Sequence, residues 1–157
     1  MFNYEKIPLH WVNRLGFVLR KELSAVFREA GHPVSPEEWA ILLVLWKQSP
    51  QTPGALADVT TKDRTTITRL IDAMVRKNLV SRSEDPDDRR RSVVAVSAHG
   101  VAMQEDLVRL AQGLINRALT DIPADDIETT TRTLRAMTEN LLVPAQSASG
   151  QRISEDG

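Results

Sequence analysis

Two groups of arginines in this chain are placed to bind anions. Arg64 and Arg69 stand with Thr65, Thr66 and Thr68 in one segment, and Arg89, Arg90 and Arg91 close the run EDPDDRRR. A guanidinium is planar, always charged and able to donate two parallel hydrogen bonds, so it suits a phosphate or the edge of a guanine. Threonine adds a hydroxyl for phosphate and a methyl for thymine. Asp88, two residues before Arg90, can pair with the guanidinium and hold it extended. Taken alone, each group also reads as ordinary solvated surface, one on a helix and one on a turn. A calcium loop is a poor reading of DPDDRRR, since three adjacent cations oppose a cation site.

The surrounding elements decide between these readings. Ile67, Leu70, Ile71 and Met74 recur at i, i+3, i+4 and i+7, which predicts a helix of about 14 residues capped by Asp63, with the arginines and threonines on its far face. Asn78 suits a left-handed exit from that helix, and Leu79-Val80 leads into a strand. The polar tip EDPDDRRR and the segment Ser92–Val96 complete a hairpin. Two shorter helices precede it. Ser35 and Glu38 have capping-box spacing before a helix whose buried stripe is expected at Trp39, Leu42, Leu43 and Trp46, and Thr52-Pro53 opens a helix with Leu56, Ala57 and Val59. The order α-α-α-β-β is that of a winged helix-turn-helix, whose second helix lies in the major groove of DNA while the wing reaches the minor groove.

Longer helices flank this core. The first is predicted from about Pro8 to Ala30, ending at Gly31; a long fifth runs from Ala98 to Leu119 behind the cap Ser97, and a last one runs from Pro123 until Pro144 stops it. The fold class expected is mainly α with a small β-hairpin. Residues 1–34 and 98–143 form a helical dimerisation region, residues 35–97 the DNA-binding lobe, and residues 145–157 a disordered tail.

Composition narrows the function. The chain has 157 residues, 41% of them hydrophobic, enough for one real core. Its net charge of −1 hides an uneven distribution: residues 62–91 carry nine basic and six acidic groups, net +3, whereas residues 92–157 carry five and nine, net −4. One basic stripe on an acidic remainder suits phosphate contact. No cysteine is present, which excludes thiolate catalysis, thiol redox sensing and cysteine zinc sites. His10, His32 and His99 lack ligand spacing, so no metal and no cofactor is expected. No apolar run spans a bilayer and no leader pattern opens the chain, so a cytoplasmic location without membrane contact is the expectation.

Residues 35–100 resemble the winged-helix core of the multiple-antibiotic-resistance regulator (MarR) family. TTITRLIDAMVRKNLVSR is similar to that family's recognition helix and the strand after it, and Asp88-Arg89-Arg90 matches its Asp-x-Arg wing signature. Val96-Ser97 takes the place of a common Leu-Thr, with Gly100 at the usual interval, and Asn78 replaces a usual glycine. The resemblance implies a homodimer built from the first, fifth and sixth helices, and a ligand-responsive repressor of a pseudo-palindromic operator in double-stranded DNA. The terminal helices independently carry more apolar residues than a thin monomer could cover.

The resemblance also implies a small aromatic or anionic effector between the dimer helices and the DNA-binding lobe. Trp11, Arg14, Trp39 and Trp46 could line such a cleft, although tryptophans at helical spacing are core more often than pocket. Two rival classes remain. A helical protein-interaction module would not display three adjacent arginines at its contact. A small enzyme would need a nucleophile with a base, paired carboxylates or a glycine-rich phosphate loop, and the sequence offers none.

Overall fold

Four of the helices begin where a side chain accepts from one of the first backbone N–H groups. In the computed structural model, which describes residues 1–144, the order is α1 (Pro8–Glu29), α2 (Pro36–Lys47), α3 (Pro53–Thr60), α4 (Arg64–Arg76), β1 (Val80–Glu84), β2 (Ser92–Val96), α5 (Ala98–Ala102), α6 (Gln104–Ala118) and α7 (Ala124–Leu142). Mainly α with one hairpin is therefore the observed class. The predicted tail at 145–157 lies outside the described residues. At α2 both arms of the capping box form: Glu38 N–H donates to Ser35 Oγ at 3.1 Å and Ser35 N–H to Glu38 Oε2 at 3.0 Å. Thr52 and Ser97 cap α3 and α5 through the N–H groups of Ala55 and Gly100. Asn78 leaves α4 at φ 57°, in the left-handed region that Asn tolerates.

The strands β1 and β2 pair antiparallel from Val80 opposite Val96 to Glu84 opposite Ser92. Gln51 adds an isolated bridge to Val94, with N–H···O distances of 2.9 and 2.8 Å, so the segment before α3 borders the wing root. One residue is too short a signal for sequence periodicity to show. A 3-10 turn at Tyr4–Lys6 escapes it for the same reason.

The chain divides into two compact units, Met1–Ile115 and Asn116–Gly157. In the first, Phe27 of α1, Ile41, Leu42 and Leu45 of α2, Leu56 of α3, Ile67, Ile71 and Met74 of α4, Val94 of β2 and Leu107 of α6 form one closed core. Two expected core positions lie outside it: Leu43 is 45% exposed and Val59 65%. Almost every position of α2 from Trp39 to Trp46 is apolar, so its period does not choose a phase. Packing does, and it selects Ile41, Leu42 and Leu45. The long fifth helix is assigned as two pieces parted at Met103. That residue keeps a right-handed conformation (φ −81°, ψ −14°), donates to His99 O and accepts from Leu107 N–H, so the backbone ladder continues through the break.

In the second unit, α7 starts after Pro123, whose carbonyl accepts from the N–H groups of Asp126 and Ile127, and it stops at Leu142. Val143, forced extended by Pro144, ends it. Among the described residues no helix is long and apolar enough to cross a membrane.

Gly100 joins the wing to α5 at very close range. A Cβ there would stand 2.3 Å from the Leu79 carbonyl oxygen and 2.8 Å from Val96 Cγ2. Because the nearer obstacle is backbone, Gly100→Ala is expected to destabilise the fold by about 1–3 kcal/mol, as overpacking does. Urea denaturation of the variant measures this, and unchanged stability would contradict the close approach.

Candidate nucleic-acid interface

The outer face of α4 is set first by its cap. Asp63 accepts from Thr66 N–H through Oδ1 and from Thr66 Oγ1 through Oδ2, both at 2.8 Å. These bonds hold the Asp63 carboxyl below its usual range, the Thr66 backbone N–H being the largest cause. Thr66 is thereby committed to the cap and is half-buried. Burial of Ile67, Ile71 and Met74 turns Arg64, Thr65, Thr68 and Arg69 outward, and all four are exposed. Thr68 donates its hydroxyl to Arg64 O at 2.9 Å, so the hydroxyl is occupied by the helix itself.

Arg64 does not stand out from the helix as its neighbours do. Its guanidinium lies over α3, so that a Cβ on Gly54 would meet Arg64 Nη1 at 2.9 Å. With Arg90 and Arg91 it borders a cavity of about 550 Å³ that Thr52, Pro53, Gly54, Ala55, Asp58 and Ser92 complete. Of the sequence-predicted arginines, Arg64, Arg90 and Arg91 are thus brought together by an α3 edge that sequence reading had not included, whereas Arg69 and Arg89 do not border the cavity. With three arginines and one aspartate, Asp58, along its border, the cavity has a net positive lining, which favours an anion.

The wing is shaped by its aspartates. Asp85 Oδ1 accepts from Asp87 N–H at 2.9 Å, and Asp85 N–H donates to Arg91 O at 2.8 Å. Asp88 Oδ1 accepts from Arg90 N–H at 3.0 Å and stands 3.9 Å from Arg90 Nε. Its firmest bond is to the backbone, so it shapes the turn first; Arg90's side chain is 95% exposed. Arg89 and Arg91 are exposed as well. The root of the wing is tied to α4 by Arg82 and Asp72, 3.1 Å apart, an ion pair between two elements that no spacing rule could have found.

The four residues predicted for an effector fall into two places. Trp39 packs on Phe27 (centroids 5.4 Å) and on Trp46 (5.6 Å), whose Nε1–H donates to Gly100 O at 3.0 Å. Trp11 and Arg14 are exposed near the start of α1, where Trp11 Nε1–H donates to Glu5 O. At 1.5 Å per residue, Trp11 lies about 24 Å along α1 from Phe27. Within one chain the four residues therefore do not face one cleft. Among the described residues no group of three or more His, Cys, Asp or Glu is placed to hold a metal.

The family model of the MarR family matches residues 34–92, the segment that holds α2, α3, α4, β1 and the wing tip. The crystal structure of a probable transcriptional regulator from Pseudomonas aeruginosa is 30% identical, at a TM-score of 0.66, over 78% of this chain and 96% of that one. The chain belongs to the MarR family. It is a transcriptional regulator, and no enzyme. This MarR-family chain is also similar to the HTH-type transcriptional repressor NicR of Pseudomonas putida, 24% identical over 127 residues, 78% of this chain and 80% of that protein. Its winged-helix fold is shared with Bordetella bronchiseptica BpsR, whose DNA binding is regulated by 6-hydroxynicotinic acid. That likeness has a TM-score of 0.79 and 18% identity, over 88% of this chain and 97% of that one.

The lowered Asp63 carboxyl has a pH signature. A depressed folded value contributes stability above the ordinary carboxylate value and loses it as pH falls through the folded one. Thermal unfolding followed by circular dichroism should show Asp63→Ala less stable than the parent at neutral pH, with the gap closing in acid. A gap that does not change with pH would show that the carboxylate's charge plays no part.

Proposed function

We propose that this regulator is a ligand-responsive repressor that binds a pseudo-palindromic operator in double-stranded DNA as a homodimer. The observation that carries the reading is the joint exposure of Arg69 and Thr68 on α4 and of Arg89, Arg90 and Arg91 on the wing, two surfaces linked by the Arg82–Asp72 pair. In this reading α4 lies in the major groove with Thr65, Thr68 and Arg69 at base edges, and the wing arginines enter the minor groove. Arg64, folded toward Arg90 and Arg91, holds a backbone phosphate and not a base. Thr66 and Asp88 support the surface by capping and turning the backbone. Likeness to NicR supports repression, and likeness to BpsR supports control of DNA binding by a small ligand.

The dimer reading assigns residues 1–34 and 98–143 to the interface. It is supported by the exposure of Leu9, Val12, Leu15, Phe17 and Val18 on α1 and of Val101, Val108 and Ile115 at seven-residue intervals across α5 and α6. Apolar stripes of that size on separate helices suit a self-complementary contact. A small aromatic or anionic effector would meet Trp11 and Arg14, since Trp39 and Trp46 are engaged with Phe27 and each other.

Binding of a candidate operator at several salt concentrations tests the assignment. Arg69→Ala should cost about 1–3 kcal/mol at one base pair and relax the preference there. Arg64→Ala should weaken all sequences alike and reduce the salt slope by about one unit. Arg90→Ala should weaken sites with narrow minor grooves, and Asp88→Ala should do so less. Wild-type affinity in both Arg69→Ala and Arg90→Ala would overturn the mechanism. For the dimer, sedimentation at micromolar concentration should give twice the chain mass; a stable monomer would refute it.

A further inference from the structure

Lys77 follows α4 directly, in the basic part of the chain, and by position it would be counted among the cations that meet phosphate. Its ammonium is used elsewhere. Lys77 Nζ lies 2.9 Å from Glu38 Oε1, 2.9 Å from Glu38 Oε2 and 2.9 Å from Pro33 O. An ammonium has three N–H donors, and three acceptors surround it, so none is left for a nucleic acid. Glu38 is the one buried charged residue among the described residues, 3% exposed. It also accepts from Ser35 N–H as part of the α2 capping box. One cation therefore pins three segments at a point: the α1–α2 loop, the first turn of α2 and the C-terminal end of α4.

We infer that Lys77 is a positioning residue, which sets the angle of α4 against α2 through Glu38 and so sets where the base-reading side chains stand. The inference rests on the DNA-binding reading of α4. Its physical basis is leverage. At 1.5 Å per residue Arg69 lies about 12 Å and Arg64 about 20 Å from the tether, so a tilt of about 5° moves them by about 1.0 and 1.7 Å. Shifts of that size exceed what a bidentate hydrogen bond tolerates. The N-terminal end of α4 has no such external anchor in its cap, because Asp63 bonds within the same turn. The pair is buried only on its Glu38 side, the Lys77 side chain being 37% exposed, so it adds little net stability compared with an apolar replacement, whereas removing Lys77 leaves the buried Glu38 charge uncompensated.

Lys77→Met keeps the stem and removes the ammonium. Glu38→Gln keeps an acceptor for Ser35 N–H and removes the charge. Operator binding by each variant and by the pair combined, at several salt concentrations, is compared with urea denaturation of the same proteins. Lys77→Met should bind about tenfold more weakly, the scale of one misplaced base contact, with the salt slope unchanged. The combined variant should regain stability while its affinity stays low, and this holds even if Lys77→Met alone fails to fold. Three results would overturn the inference: wild-type affinity in Lys77→Met, a salt slope reduced by about one unit, or recovery of affinity together with stability in the combined variant. Arg69→Ala and Arg90→Ala are measured alongside. If both also retain wild-type affinity, the DNA-binding reading has failed; if either loses affinity while Lys77→Met does not, the tether has.

Discussion

The arrangement depends on the burial of one face of α4. Ile67, Ile71 and Met74 are fully buried, and burying each such side chain contributes on the order of 1.5–3 kcal/mol. The exposed ion pair that also touches α4, Arg82 with Asp72, is of a kind worth about 0–1 kcal/mol. Hydrophobic burial therefore sets the rotation of the helix about its axis, and the arginines and threonines follow. A helix turned by its charges would be free to drift. One turned by three core residues presents the same outer face in every molecule.

Rotation alone does not place α4; its exit must be held too. Ser97 donates its hydroxyl to Asn78 O at 2.5 Å and its N–H to Leu79 O at 3.0 Å, while its Oγ caps Gly100. Trp46 of α2 then donates to Gly100 O. Four consecutive steps of this kind join the end of α4 to α5 and back to α2. The absence of a side chain at Gly100 is what lets the backbones meet. Such polar closure is worth having in a half-buried joint, because each carbonyl left without a donor would cost about 1–3 kcal/mol.

Apolar surface is distributed in the opposite sense on the flanking helices. The interior of the first unit is closed, yet α1 keeps aromatic and aliphatic side chains in solvent along its first half, from Leu9 to Val18. Stabilising such a surface requires covering it, and its regular spacing on α1 and on α5–α6 is what a helix-to-helix contact needs. The polar outer face of α4 and the apolar flanks are thus two chemically opposite surfaces of one sequence.

Much of this was legible in the residues alone. Caps at Ser35, Thr52, Asp63 and Ser97, the left-handed Asn78, the buried period of α4 and the turn chemistry of the wing are local, and local chemistry decides them within a few residues. The outward placing of the helix and wing arginines was legible for the same reason. What the sequence could not decide were choices between equivalent local options: which face of the nearly all-apolar α2 is buried, where the Arg64 head turns, and whether Lys77 faces phosphate or Glu38. Those depend on groups distant in sequence, Gly54 with Arg90 and Arg91 for Arg64, Pro33 and Glu38 for Lys77, Phe27 for Trp39. A charged side chain reads the same in sequence whether its partner is solvent, nucleic acid or a carboxylate 39 residues away, and only packing brings that carboxylate within 2.9 Å.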